Sequence, residues 1–115
     1  MTTKMIMIKD INGNVTYGVP FCDALNTFSG VLAASTAQSV TVPLGASLYL
    51  AIFAYSTGGE VWVANNTTAA IPTGSIGLTS SQLNPVARQV KPGDVLSFIT
   101  PDTACNLNVS FYAIQ

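Results

Sequence analysis

Apolar and polar positions along this chain alternate with a period of two, and β-branched and aromatic residues gather in short runs broken by Gly, Pro and Asn. That pattern predicts an all-β fold. Met5 to Ile11, Asn12-Gly13 and Val15 to Val19 predict an opening hairpin, because Asn-Gly readily takes the positive φ angles of a type I′ turn. Pro20 to Phe28 lacks clean alternation and holds Asp23 and Asn26, so it is expected to cross an end of the domain, anchored by Phe21, Leu25 and Phe28. Val31 to Ala34 and Ser39 to Val42 predict two short strands, the second stopped by Pro43, which has no N–H to give a ladder.

Ala46 to Tyr55 is apolar on both alternating faces, Leu48, Leu50 and Ile52 against Tyr49, Ala51 and Phe53, as in a central strand covered on both sides. One face must meet an opposing sheet, and the other needs a loop, a terminus or a neighbouring subunit. Gly58-Gly59 predicts a hairpin into Glu60 to Ala64, with Val61 and Val63 facing one way and Trp62 the other. Asn65 to Leu83 is rich in Thr, Ser, Gly and Asn, with Ile71, Ile76 and Leu78 as its apolar markers, and is longer than the roughly 12 to 15 residues usual for a structureless loop. It is expected to hold a short edge strand near Ile76 and to offer a contact loop. Val86 to Val90 and Val95 to Thr100 predict a strand pair around Lys91-Pro92-Gly93-Asp94, where Pro-Gly suits a type II turn. In the last run, Leu107, Val109, Phe111 and Ala113 alternate with Asn106, Asn108 and Ser110. About eight strands with long connections predict a two-sheet antiparallel sandwich of jelly-roll or Greek-key type. The chain reads as one domain, 1–115, with 1–10 as an N-terminal arm or first strand.

Composition adds that the solvent face is nearly neutral. Only 8% of the 115 residues are charged, four Lys and Arg against five Asp and Glu, where soluble domains average about 25%. The longest apolar run, Leu48 to Tyr55, falls well short of the roughly 20 residues of a spanning helix, so no membrane partner is expected. A neutral Ser/Thr/Asn surface is poorly protected against association, which suits a subunit whose surface is covered in use. Lys4, Lys9, Arg88 and Lys91 are scattered and form no basic stripe, so nucleic acid is not an expected partner. Lys4 is followed by only four apolar residues before Lys9 and Asp10, too short for a secretory core, and synthesis in the cytoplasm is expected.

Little in the chain suits catalysis. There is no His, and the five carboxylates, Asp10, Asp23, Glu60, Asp94 and Asp102, are dispersed singly. A pair assembled in space would be needed for acid–base work, whereas a solvated turn residue is the ordinary role of such positions. Cys22 and Cys105 lack zinc-ligand spacing and are read as buried free thiols or as a mutual disulfide. No metal, cofactor or catalytic residue is expected. Trp62 with Tyr55 and Phe53 across the Gly58-Gly59 hairpin is ordinarily core packing, but the same aromatics suit contact with a protein neighbour or stacking on a sugar ring.

The segments Ser39-Val40-Thr41-Val42-Pro43, Val61 through Pro72, and Asn84 to Thr100 with its Lys91-Pro92-Gly93-Asp94 turn resemble small virion proteins of tailed bacteriophages. The resemblance spans roughly Val15 to Ile114 and is strongest to the decoration or cement proteins, small β-rich accessory capsid subunits. It implies a homo-oligomer, dimer or trimer, bound to the major capsid protein on the outer surface of the head and made in the host cytoplasm. It carries over no functional residues. The contact candidates come from the chain itself: Met5 and Met7 in the Met1 to Lys9 arm, Ile71, Ile76 and Leu78 in the long loop, and the aromatics Tyr55 and Trp62. Two other functions compete with a capsid role: carbohydrate recognition by a tail fibre or spike through Tyr55 and Trp62, and a small hydrolase built on a carboxylate pair.

Overall fold

The computed structural model describes residues 6–9, 11–18 and 27–113. They form ten strands: β1 (Ile6–Lys9), β2 (Val15–Gly18), β3 (Thr27–Ala33), β4 (Gln38–Thr41), β5 (Tyr49–Tyr55), β6 (Trp62–Asn65), β7 (Gln82–Leu83), β8 (Ala87–Val90), β9 (Val95–Ile99) and β10 (Ala104–Ala113). β1 and β2 pair with each other, and the other eight make two four-stranded antiparallel sheets, ordered β3-β10-β5-β8 and β4-β9-β6-β7. The ladders β3·β10, β4·β9, β5·β8 and β6·β7 nest inside one another around the β6–β7 tip. That is one long hairpin wrapped into a sandwich, the winding of a jelly roll.

This winding corrects two expectations. β5 and β6 lie in different sheets, so Gly58-Gly59 does not turn a hairpin but carries the chain across the sandwich. β8 and β9 likewise belong to opposite sheets. The turn between them is nonetheless the expected type II: the Asp94 N–H donates to the Lys91 carbonyl at 3.1 Å, and Gly93 sits at φ 86°. Local turn chemistry was legible there; sheet membership was not.

The opening hairpin differs as well. Lys9 pairs with Val15, so five residues, 10–14, join the strands, and of the described ones only Gly13 takes positive φ. A two-residue type I′ turn needs both central residues there. β3 begins at Thr27 rather than Val31, because the ten-residue β10 offers partners as far as Ser110. The rest of the Pro20 to Phe28 connection, with Phe21 and Leu25, lies outside the described residues, as do Met5 and Cys22. No strand forms near Ile76, and the edge strand is β7 instead.

The core lies between the sheets. Leu107, Val109, Phe111 and Ala113 of β10 point inward with Tyr49, Ala51 and Phe53 of β5, and meet Leu96 and Phe98 of β9 and Val63 of β6. The aromatics meet edge-on: Phe53 and Phe98 at 6.0 Å, Tyr49 and Phe111 at 6.2 Å. β5 is central, as expected, but its second face is only partly covered, with Leu50 and Ile52 half-buried and Ala54 exposed. Cys105 is a free thiol in the core.

Candidate interaction surface

The outer face of the β4-β9-β6-β7 sheet carries the longest irregular segment among the described residues, 66–81. Strand alternation aims Leu96 and Phe98 inward, so Ser97 and its cross-strand partner Ala64 face outward, yet both are buried. The loop covers them. The Ala69 N–H donates to Ser97 Oγ at 2.9 Å, and the Ala70 N–H to Ser81 Oγ at 3.1 Å. At its start, the Val95 N–H donates to Asn66 Oδ1 at 2.9 Å, and Asn66 Nδ2 donates to Asp94 Oδ1 at 3.1 Å. The Lys91 N–H, which donates to Asp94 Oδ2 at 2.9 Å, and the Asn66 amide hold the Asp94 carboxyl below the usual carboxylate range.

The loop's base is therefore fixed, while its tip stands clear. Ile71 is half-buried, and from Pro72 to Ser80 every residue is exposed. Ile76 and Leu78 are 106% and 108% exposed, as open as in an extended chain. Loop and sheet enclose an open hollow of about 520 Å³, lined by Trp62 and by Ile71 to Thr79. Trp62 faces outward beside Ile99 and Leu83. Its Nε1–H donates to Glu60 Oε2 at 2.9 Å, so its polar demand is met within the chain and its ring is left for contact.

The fold thus brings four of the candidate contact residues together: Trp62, Ile71, Ile76 and Leu78. Tyr55 is not with them. Its hydroxyl donates to the Pro85 carbonyl at 2.7 Å and its ring stacks on Phe53 at 6.5 Å, and burial pushes its pKa up. The platform of Trp62, Tyr55 and Phe53 expected across a hairpin is not assembled, because β5 and β6 lie in opposite sheets. Met7 stands on β1, and Met5 lies outside the described residues. Leu83 joins the patch without having been singled out from sequence; a two-residue strand is too short to show alternation.

Among the carboxylates, Glu60 and Asp102 come together in one loop cluster: Asp102 Oδ2 accepts from the Glu60 N–H at 2.9 Å, and Thr100 Oγ1 donates to the Glu60 carbonyl at 2.6 Å. Each has a structural task, Asp102 tying the Glu60 backbone and Glu60 holding Trp62. Asp94 lies at the other end of β9. Among the described residues, no group of three or more His, Cys, Asp or Glu side chains is placed to hold a metal, and no helix is long and apolar enough to cross a membrane. No family model, curated protein or solved structure matches this chain.

Proposed function

We propose that this chain is a structural virion protein, a decoration or cement subunit on the outer surface of a tailed-phage head, made in the host cytoplasm. It packs against the major capsid protein and copies of itself, with no catalytic step, metal or cofactor. The observation that carries this function is the loop tip: two large aliphatic side chains, Ile76 and Leu78, fully in water on an anchored base. Burying each stabilises a complex by about 1.5 to 3 kcal/mol, and the free chain gains nothing from them.

Jelly rolls serve capsid and lectin domains alike, so the choice rests on the surface. The test is co-sedimentation with expanded heads from the protein's own source. Saturable binding, with heads lacking the protein more sensitive to heat and low salt, is the expected result. Heads that neither bind the protein nor lose resistance without it would overturn the proposal. One observation favours a second function, carbohydrate recognition by a tail fibre or spike: the Trp62 ring lines a hollow that also presents Thr73, Ser75 and Thr79. Specific binding on a glycan array, lost in Trp62→Ala with the circular dichroism spectrum retained, would select it.

A further inference from the structure

The loop that bears the exposed tip also divides the fold. Residues before it supply β1 to β6, and residues after it supply β7 to β10. In the orders β3-β10-β5-β8 and β4-β9-β6-β7 these two sets alternate strictly, so every ladder of both four-stranded sheets joins a strand before the loop to a strand after it. The loop's anchors do the same, since the Ala69 N–H reaches Ser97 and the Ala70 N–H reaches Ser81. The last anchor before the tip is at Ala70, and the first after it is Thr79 Oγ1, which accepts the Ser81 N–H at 3.2 Å. Elsewhere between β3 and β10 the connections have at most seven residues. They are tied to the fold by bonds such as those from the Ser35 N–H to the Thr100 carbonyl, the Gly45 N–H to the Tyr49 hydroxyl and the Gly59 N–H to the Ser56 carbonyl.

We propose that the tip, Pro72 to Ser80, is a proteolytic processing site for an endopeptidase that selects bulky aliphatic side chains, and that the cut chain persists as an interlocked two-chain form. Exposed loop tips of small and polar residues are where folded chains are nicked, and every residue of this stretch is exposed. The side chains select the class of enzyme. Residues 66–81 contain no Lys, Arg, Asp, Glu or aromatic residue, so proteases that read charge or rings find nothing there. Of the large aliphatics, Ile71 is half-buried and precedes Pro72, which leaves Ile76 and Leu78, both fully in water. Water adds across the Ser75–Ile76 or Gly77–Leu78 peptide bond, its hydroxyl going to the acyl carbon and a proton to the amide nitrogen, leaving a new carboxylate and a new amino terminus. The two halves cannot part without unzipping the six ladders that join them. Phe98 and Phe111 of the second half also pack edge-on against Phe53 and Tyr49 of the first.

The experiment is limited proteolysis of the folded, full-length protein with thermolysin, which cuts before bulky aliphatic residues, followed by mass spectrometry and light scattering. The expected products are a pair of fragments that meet at Ile76 or at Leu78, while trypsin leaves residues 66–81 intact. The pair co-elutes at the mass of the uncut protein and keeps its circular dichroism spectrum. Because cutting turns loop closure into association, urea unfolding of the pair depends more strongly on protein concentration than that of the uncut protein. Ile76→Ser combined with Leu78→Ser, which strips the tip of aliphatic side chains, slows the cut by roughly tenfold or more. A tip that survives until urea unfolds the protein overturns the proposal. So does a double variant cut in the tip at the parent's rate, and so does a cut chain whose halves separate or lose their circular dichroism under native conditions. Because no head is needed, failure here is distinct from failure of capsid binding.

Discussion

Replacing both Ile76 and Leu78 by Ser separates binding from folding. Their side chains are as exposed in the folded chain as in an unfolded one, so folding buries none of their surface and the substitution removes no folding energy. The loop's anchors, Ala69 to Ser97 and Ala70 to Ser81, are backbone N–H bonds to residues the substitution leaves alone. Stability in urea is therefore expected to stay within about 0.5 kcal/mol of the parent. Binding is different. If both side chains enter a partner, about 3 to 6 kcal/mol of burial is lost, and at tenfold per 1.4 kcal/mol affinity falls by roughly a hundredfold to ten-thousandfold. The assay pairs urea unfolding of the isolated protein with co-sedimentation on expanded heads. Unchanged affinity would refute the docking role of the tip. A stability loss above 1 kcal/mol would refute the claim that the tip packs against nothing in the free chain.

Other perturbations test the framework that presents this surface. Gly59→Ala would set its Cβ 2.7 Å from Cys105 Sγ and 3.0 Å from the Ser56 carbonyl oxygen; the expected cost by urea unfolding is about 1 to 3 kcal/mol, and Cys105→Ala in the same chain should restore part of it. Phe98→Ala empties a fully buried site facing Phe53 and is expected to cost about 3 to 5 kcal/mol by the same measurement. Asp94 titrates below its ordinary 3.8 in the folded chain, so it adds stability above that pH and loses it as pH falls through the folded value. The stability gap between the parent and Asp94→Asn should accordingly be flat near neutrality and shrink below pH 3.8 in acid denaturation.

Much of the fold was legible in the pattern of residues. The alternation from Leu107 to Ala113 identified the long β10 and its buried face through its period of two, and the run around Ile52 identified the central β5 because it is apolar on both alternating faces. Sheet membership was not legible. In a jelly roll most consecutive strands change sheets, and Gly58-Gly59 or Pro92-Gly93 turns a chain equally well within a sheet or between two. That ambiguity produced the expectation that Tyr55 and Trp62 share a platform. Ser97 and Ser81 were invisible for another reason. A polar residue that anchors a loop over a sheet looks, in sequence, like any solvated serine, and only its burial shows the role. At the candidate site, the markers Ile71, Ile76 and Leu78 stood out against a Thr/Ser/Gly background, whereas Leu83 required three-dimensional neighbours to be recognised.

The claim that this domain works as a many-copy structural subunit is tested most directly by quantitative mass spectrometry of purified virions, measuring copies of this chain per copy of the major capsid protein. A fixed ratio of the same order as the capsomer count, retained when tails are removed, is the expected result. A handful of copies that leave with the tails, or absence from the particle, would contradict it.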